Sequence, residues 1–159
     1  MTAAVVPATR SPDETARLAA DTMWANDAAC QNLGIEILAV GPGTATLAMA
    51  VKDTMVNGHD TAHGGYIFAL ADTAFAYACN SYGLVTVAAH CSITFIRPGT
   101  RGARMIAEAR EVSRSARSGI YDVRISIDGV AIAEFRGHSR TIGGSFIDGG
   151  PAAAETPTP

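Results

Sequence analysis

The chain has 159 residues, 48% of them apolar and 17% charged, with a formal net charge of -3. That length fits one domain, and that apolar share supports a packed core rather than a disordered chain. The slight acidic excess argues against a general nucleic-acid binder, which would carry a strong basic surplus, although a local cluster of Arg can still hold phosphates. Cys30, Cys79 and Cys91 share no C-x-x-C spacing and read as reduced, mostly buried thiols of a cytosolic protein. The opening MTAAVVPATR has no long apolar core behind a basic head, so no signal peptide is expected. No apolar run approaches the ~18 residues of a membrane helix.

In chain order, residues 1–12 are expected to form a flexible arm and residues 13–147 the folded domain. Residues 148–159 (DGGPAAAETPTP) hold no large apolar side chain, and disorder is expected there because they bury too little to offset the entropy of ordering. Ser11 and Pro12, followed by Asp13 and Glu14, mark a helix start, with the helix running through Trp24. A short second helical turn holds Cys30 and Leu33 and ends at Gly34. From Ile35 the period changes to two. A β-rich run to Val40, a turn at Gly41-Pro42-Gly43, and alternation through Ala45, Leu47, Met49 and Val51 make a hairpin. A polar stretch, 52–63, holds a turn at Asn57-Gly58.

Next comes GGYIFALADTAFAYACN, residues 64–80. Ile67, Leu70, Ala71, Ala74, Phe75 and Ala78 keep helix-face spacing. The other faces are also apolar, which marks a buried helix. From Val85 the period is two again, and Val85, Val87, Ala89, Cys91, Ile93 and Phe95 are expected on one side of a long strand ending before Pro98-Gly99. Residues 104–113, 119–127 and 130–142 make three more strands, with a hairpin turn at Asp128-Gly129. The order predicts an α+β domain in which an antiparallel sheet of about six strands wraps a long central helix. Its open strand edges favour at least a dimer.

Asp72 is the only charged residue between Gly64 and Asn80. It lies two turns into the helix, too deep for a cap, with no Lys or Arg three or four residues away. A buried unpaired carboxylate is costly or shifts its pKa upward, so a catalytic role is expected. The structural alternative is an Asp that escapes to solvent or pairs with a distant Arg. Gly64-Gly65 opens the helix directly after His63. Free N–H groups there, with no side chain at Gly64, make an oxyanion site; tight helix–sheet packing would explain the glycines equally well. His59 and His63 are four apart, but no third or fourth ligand is evident, so no metal is expected. His63 instead donates a hydrogen bond at the site or shapes the loop. There is no G-x-S-x-G nucleophile elbow and no phosphate-binding glycine loop. Arg97, Arg114, Arg117, Arg136 and Arg140 are placed on or near strand ends, as phosphate contacts or, like His138, as ordinary surface charge. Tyr66, Phe68, Phe75 and Tyr77 line an aryl pocket or pack the core.

Asn57-Gly58-His59, His63-Gly64-Gly65 and Leu70 to Asn80, together with Phe95-Ile96-Arg97-Pro98-Gly99, Gly119-Ile120-Tyr121-Asp122 and Phe135-Arg136-Gly137, resemble the hotdog thioesterases of the phenylacetic acid degradation pathway. The resemblance spans roughly 20–143. It implies a hotdog fold and hydrolysis of small aryl- or acyl-CoA thioesters, such as phenylacetyl-CoA and its ring-hydroxylated relatives. It implies that Asp72 activates water or attacks the carbonyl and that the Gly64 N–H polarises it. Asn57 and His63 would line the pocket, and Gly65 and Thr73 complete the expected substrate-binding set. It also implies sites shared between subunits, with Asp72 of one chain near Gly64 of its neighbour, in a homotetramer built as a dimer of dimers. No cofactor, nucleic acid or membrane is expected, and the location implied is cytoplasmic.

Two other readings stay open. A hotdog dehydratase or hydratase would use His63 and Asp72 for proton transfer and leave the thioester intact. A non-catalytic acyl-CoA-binding protein would tolerate Asp72→Asn with no activity to lose.

Overall fold

Ser11 caps the first helix, α1 (Pro12–Trp24): its hydroxyl accepts from the Glu14 N–H at 3.2 Å, and the Glu14 carboxylate accepts from the Ser11 N–H at 2.7 Å. This reciprocal capping box makes Ser11 and Pro12 part of the helix rather than of the expected arm. The computed structural model describes residues 10–147; the rest of that arm and the tail from Asp148 onward lie outside the described residues. Helix α2 (Ala28–Leu33) is capped by Asp27, whose carboxylate accepts from the Cys30 N–H at 3.1 Å, and it ends at Gly34 in the left-handed region, φ 75°.

Strands β1 (Glu36–Gly41) and β2 (Thr44–Ala50) form the first hairpin, and a 3-10 turn at Asp53–Met55 leads toward the central helix α3 (Gly64–Asn80). Strands β3 (Leu84–Phe95), β4 (Arg104–Arg114), β5 (Ser118–Ile127) and β6 (Val130–Ser145) follow. All six strands form one antiparallel sheet in the order β1-β2-β4-β5-β6-β3. Asp128 and Gly129, at φ 50° and 76°, make the two-residue β5–β6 turn, the left-handed pair that matches strand twist.

Helix α3 lies across the concave face of the sheet, against β2, β3, β4 and β5. Leu70, Ala71, Ala74, Phe75 and Ala78 are buried against Leu47, Met49, Met105, Val123 and Ile125. Phe75 packs on Tyr121 and Phe135, with centroids 5.6 and 5.9 Å away. Asn80 ties the end of the helix to β3, donating to the Thr86 carbonyl at 2.9 Å and accepting from its N–H at 2.8 Å. The helix is not buried all round in the single chain. Gly65, Phe68, Ala69, Asp72 and Ala76 form a stripe that stays open or half-buried.

Gly137 in β6 sits under the Phe75 ring, and a Cβ there would fall 2.7 Å from a ring carbon. A buried ring cannot swing aside in a close-packed core, so Gly137→Ala is expected to destabilise the protein by about 1–3 kcal/mol. A chemical-denaturation midpoint compared with wild type measures it.

The expected face of β3 needs one correction. A bulge between Ala88 and His90 inserts an unpaired residue, so Thr86 and Ala88 face Thr141 and Ser139 while Cys91 and Ile93 face Gly137 and Phe135. Val85 and Val87 therefore do not share a face with Cys91 and Ile93, Ala89 is the unpaired residue of the bulge, and Val87 is exposed. An inserted residue inverts the parity of every side chain beyond it, and no period-two pattern carries that information.

Candidate active site

The approach to α3 is pinned before the helix begins. Asn57 Oδ1 accepts from the N–H groups of His59 and Thr61, at 2.9 and 3.4 Å, and from the Thr61 hydroxyl at 3.2 Å. Such side-chain-to-backbone bonds replace a regular turn. The loop is then tied to its neighbours: the Ala62 N–H donates to the Gly99 carbonyl and the His63 N–H to the Met55 carbonyl, each at 2.8 Å. Arg101 holds it from outside, bonded to both Asp53 and Asp60. Asn57 thus builds the loop through its carbonyl oxygen, and its amide nitrogen has no partner among the described residues.

His63 is the N-cap of α3, and its Nδ1 accepts from the Gly65 N–H at 3.1 Å. An imidazole that accepts at Nδ1 keeps Nε2 as its donor. The Gly65 N–H is thereby occupied, whereas the Gly64 N–H has no acceptor among the described residues. A Cβ at Gly64 would sit 2.9 Å from the tip of the exposed Phe95 ring, so a side chain there would have to push that ring aside. One free N–H at the positive end of a 17-residue helix is a site for developing negative charge. Two open recesses lie at this end of the helix. One of about 260 Å³ is lined by Ala62, Gly64, Ile67, Phe95, Ile96 and Arg97, among others. The other, of about 420 Å³, is lined by Leu33, His63, Gly65, Tyr66 and Ala69.

Asp72 is half-buried and lines neither recess. Burial pushes its pKa above the usual carboxylate value, and a hydrogen bond from the Cys91 thiol, Sγ to Oδ1 at 3.8 Å, partly opposes that rise. No ion pair among the described residues includes it. The distant Arg that would have made it structural is therefore not found among them. Thr73 turns the other way, toward α2, where its hydroxyl meets the Cys30 sulfur at 3.3 Å while donating to the Ala69 carbonyl of its own helix at 2.7 Å.

The fold therefore sets His63, Gly64 and Gly65 at the start of α3, with Asn57 in the loop before it, and leaves Asp72 and Thr73 two turns along. Eight residues of helix at 1.5 Å rise separate Gly64 from Asp72 by about 12 Å. Of the four aromatic candidates, Phe75 and Tyr77 are core residues, Phe68 packs half-buried on Phe135, and Tyr66 lines the larger recess. Arg136 and Arg140 lie within β6 rather than at a strand end, because β6 runs on to Ser145. Arg136 is committed to Asp122 through two hydrogen bonds of 2.7 and 2.9 Å, and Arg114 lies 3.8 Å over the Tyr82 ring. No cluster of three or more His, Cys, Asp or Glu side chains suited to a metal is found among the described residues. Sequence reasoning missed Cys91 and Phe95 as neighbours of the site, although both were expected on one shared side of the strand after the helix.

One antiparallel sheet wrapped around a single long helix, with a lone carboxylate in that helix, is the hotdog architecture of acyl-thioester enzymes. The family profile of the thioesterase superfamily matches residues 59–133. The chain is 46% identical over 128 residues to the acyl-coenzyme A thioesterase PaaI of Escherichia coli, covering 80% of this chain and 91% of that protein. A putative esterase of Archaeoglobus fulgidus is 39% identical over 101 residues, 64% of this chain and 66% of its own. The structure of the E. coli PaaI protein from the phenylacetic acid degradation operon superposes with a TM-score of 0.84 at 44% identity, covering 85% of this chain and 99% of that one. The chain belongs to the thioesterase superfamily.

Proposed function

We propose that the protein hydrolyses aryl- and acyl-CoA thioesters to the free acid and CoA, with phenylacetyl-CoA or its ring-hydroxylated relatives as substrate. The observation that carries this reading is Asp72, a half-buried carboxylate without an ion-pair partner among the described residues, with its pKa raised by burial. A carboxylate stripped of water is a stronger base than a solvated one. Hydrolysis of a thioester develops negative charge on the carbonyl oxygen, and the free Gly64 N–H is the donor suited to receive it. Asp72 either draws a proton from the attacking water or attacks the carbonyl itself. Asn57, His63 and Gly65 hold the substrate, whereas the Thr73 hydroxyl, engaged with Ala69 and Cys30, does not reach it. The name of the E. coli relative and its operon point to the acyl group, and Tyr66 in the larger recess offers an aromatic wall for it.

The two key groups are too far apart along one helix to meet on one carbonyl. The active site is therefore completed between subunits, Asp72 of one chain facing Gly64 of its neighbour. Strand β3 ends the sheet with an unpaired edge and exposes Leu84, Val87 and Phe95, a surface that a two-fold partner would cover. Two such dimers form a tetramer. No helix among the described residues is long and apolar enough to cross a membrane, and the reading places the enzyme in the cytoplasm with its CoA substrates.

The test is free-thiol release by purified protein from phenylacetyl-CoA, hydroxyphenylacetyl-CoA, benzoyl-CoA and short aliphatic acyl-CoAs. Release is expected, fastest with the arylacetyl substrates. No thiol from any of them would overturn the reading, and an enoyl product with its thioester intact would make the protein a dehydratase or hydratase.

A further inference from the structure

We propose that Cys91 is the positioning residue of the catalytic carboxylate: its thiol donates to Oδ1 of Asp72 at 3.8 Å, which fixes one oxygen and leaves Oδ2 to face the thioester or its attacking water. The inference rests on the reading of Asp72 as the catalytic group.

The backbone aims this thiol. Upstream of the β3 bulge Thr86 and Ala88 lie on the same side of the sheet as their partners Thr141 and Ser139, with Ala88 exposed; without the inserted residue the next on that side would be His90, and Cys91 would face the other way. The bulge reverses the parity so that Cys91 points at α3. Opposite it stands Gly137, whose missing side chain lets the Phe75 ring close against the sheet. Among the described residues, no other side chain donates a hydrogen bond to Asp72.

Among the described residues, the thiols of Cys30 on α2, Cys79 on α3 and Cys91 on β3 each feel the charge of Asp72, but only Cys91 is hydrogen-bonded to it. Burial first, then that charge, pushes the Cys91 thiol up to about 11. It therefore remains S–H across the working pH range, a permanent donor rather than a nucleophile. A thiol is also a weak donor. It orients the carboxylate while lowering its basicity less than a charged donor would.

Cys91→Val removes the donor at nearly constant shape, and Cys91→Ala removes it without adding bulk. The Asp72 carboxyl, assigned in a ¹³C NMR titration by its loss in Asp72→Asn, is expected to titrate at higher pH in both variants, because the hydrogen bond that favours the charged form is gone. In the same variants kcat for thiol release is expected to fall about fivefold, the equivalent of one ordinary hydrogen bond, with KM nearly unchanged. Cys79→Ala, which removes a buried thiol that does not reach the carboxylate, is expected to move neither quantity. The proposal is overturned if folded Cys91 variants titrate at or below the wild-type value, or if Cys79→Ala moves the titration equally. Absence of thiol release in wild type, with the titration shift still present, would instead remove the thioesterase reading and leave the pairing standing.

Discussion

Asp72→Asn is expected to lower kcat for thiol release by about 10³-fold, within the range that a positioned base or nucleophile contributes, while leaving a folded protein. The amide has the shape of the carboxylate but neither accepts the proton nor attacks. The same substitution is expected to raise the melting temperature at neutral pH, a result that no loss of a structural ion pair would give. Burial holds the folded-state pKa of Asp72 above its ordinary value. Between the unfolded and folded values the native state binds more protons than the unfolded state, so stability falls as pH rises through that window. Above the window the ionised group opposes folding in full, and Asn relieves it. Below the ordinary carboxylate value both proteins carry a neutral side chain, and the difference in melting temperature is expected to vanish. Calorimetry at neutral pH and near pH 3, beside the thiol assay, measures both effects. A less stable Asp72→Asn protein at neutral pH would return Asp72 to a structural role. The dependence of kcat/KM on pH is expected to carry an acid limb above the usual carboxylate range for the same reason.

What the sequence made legible was whatever depends on local periodicity and capping. Ser11, Gly34 and Asp128-Gly129 each set a boundary where their own backbone preferences put it, and the apolar face of residues 64–80 identified the helix that the sheet wraps. The lone charge at Asp72 stood out because nothing within one helical turn could neutralise it. What stayed hidden depends on contacts between distant segments. The bulge in β3 reverses which residues face the core, yet it leaves no mark in a pattern of small apolar residues such as Val87-Ala88-Ala89. The thiol of Cys91 meets Asp72 only because strand and helix cross at that point. His63 was expected to donate or to shape the loop, but its role as the cap of α3 depends on a ring orientation that the sequence does not encode locally. Thr73 and Asp72 are neighbours in sequence but face different elements, since adjacent helical positions diverge by about 100°.

Gly64→Pro is expected to lower kcat by about 10²–10³-fold, the effect of deleting one oxyanion donor. Proline fits this position unusually well. Gly64 is the first residue of α3, where proline is tolerated, and His63 before it has the extended backbone, φ -62° and ψ 133°, that a following proline requires. The substitution therefore removes the N–H while sparing the helix. Its ring must displace the Phe95 side chain, and Gly64→Ala controls for that: its Cβ presses on Phe95 equally but keeps the N–H, so its loss is expected to stay within about tenfold. Equal losses in both variants would mean that Gly64 serves packing alone. Mixing Gly64→Pro with Asp72→Asn tests the shared site. If Asp72 of one chain works with Gly64 of its neighbour, a mixed dimer holds one site with both defects and one site with neither. Random exchange makes about half of the dimers mixed, so about a quarter of the wild-type activity is expected to return from two inactive proteins. Sites built within single chains would recover none, because every chain in the mixture carries one of the two lesions.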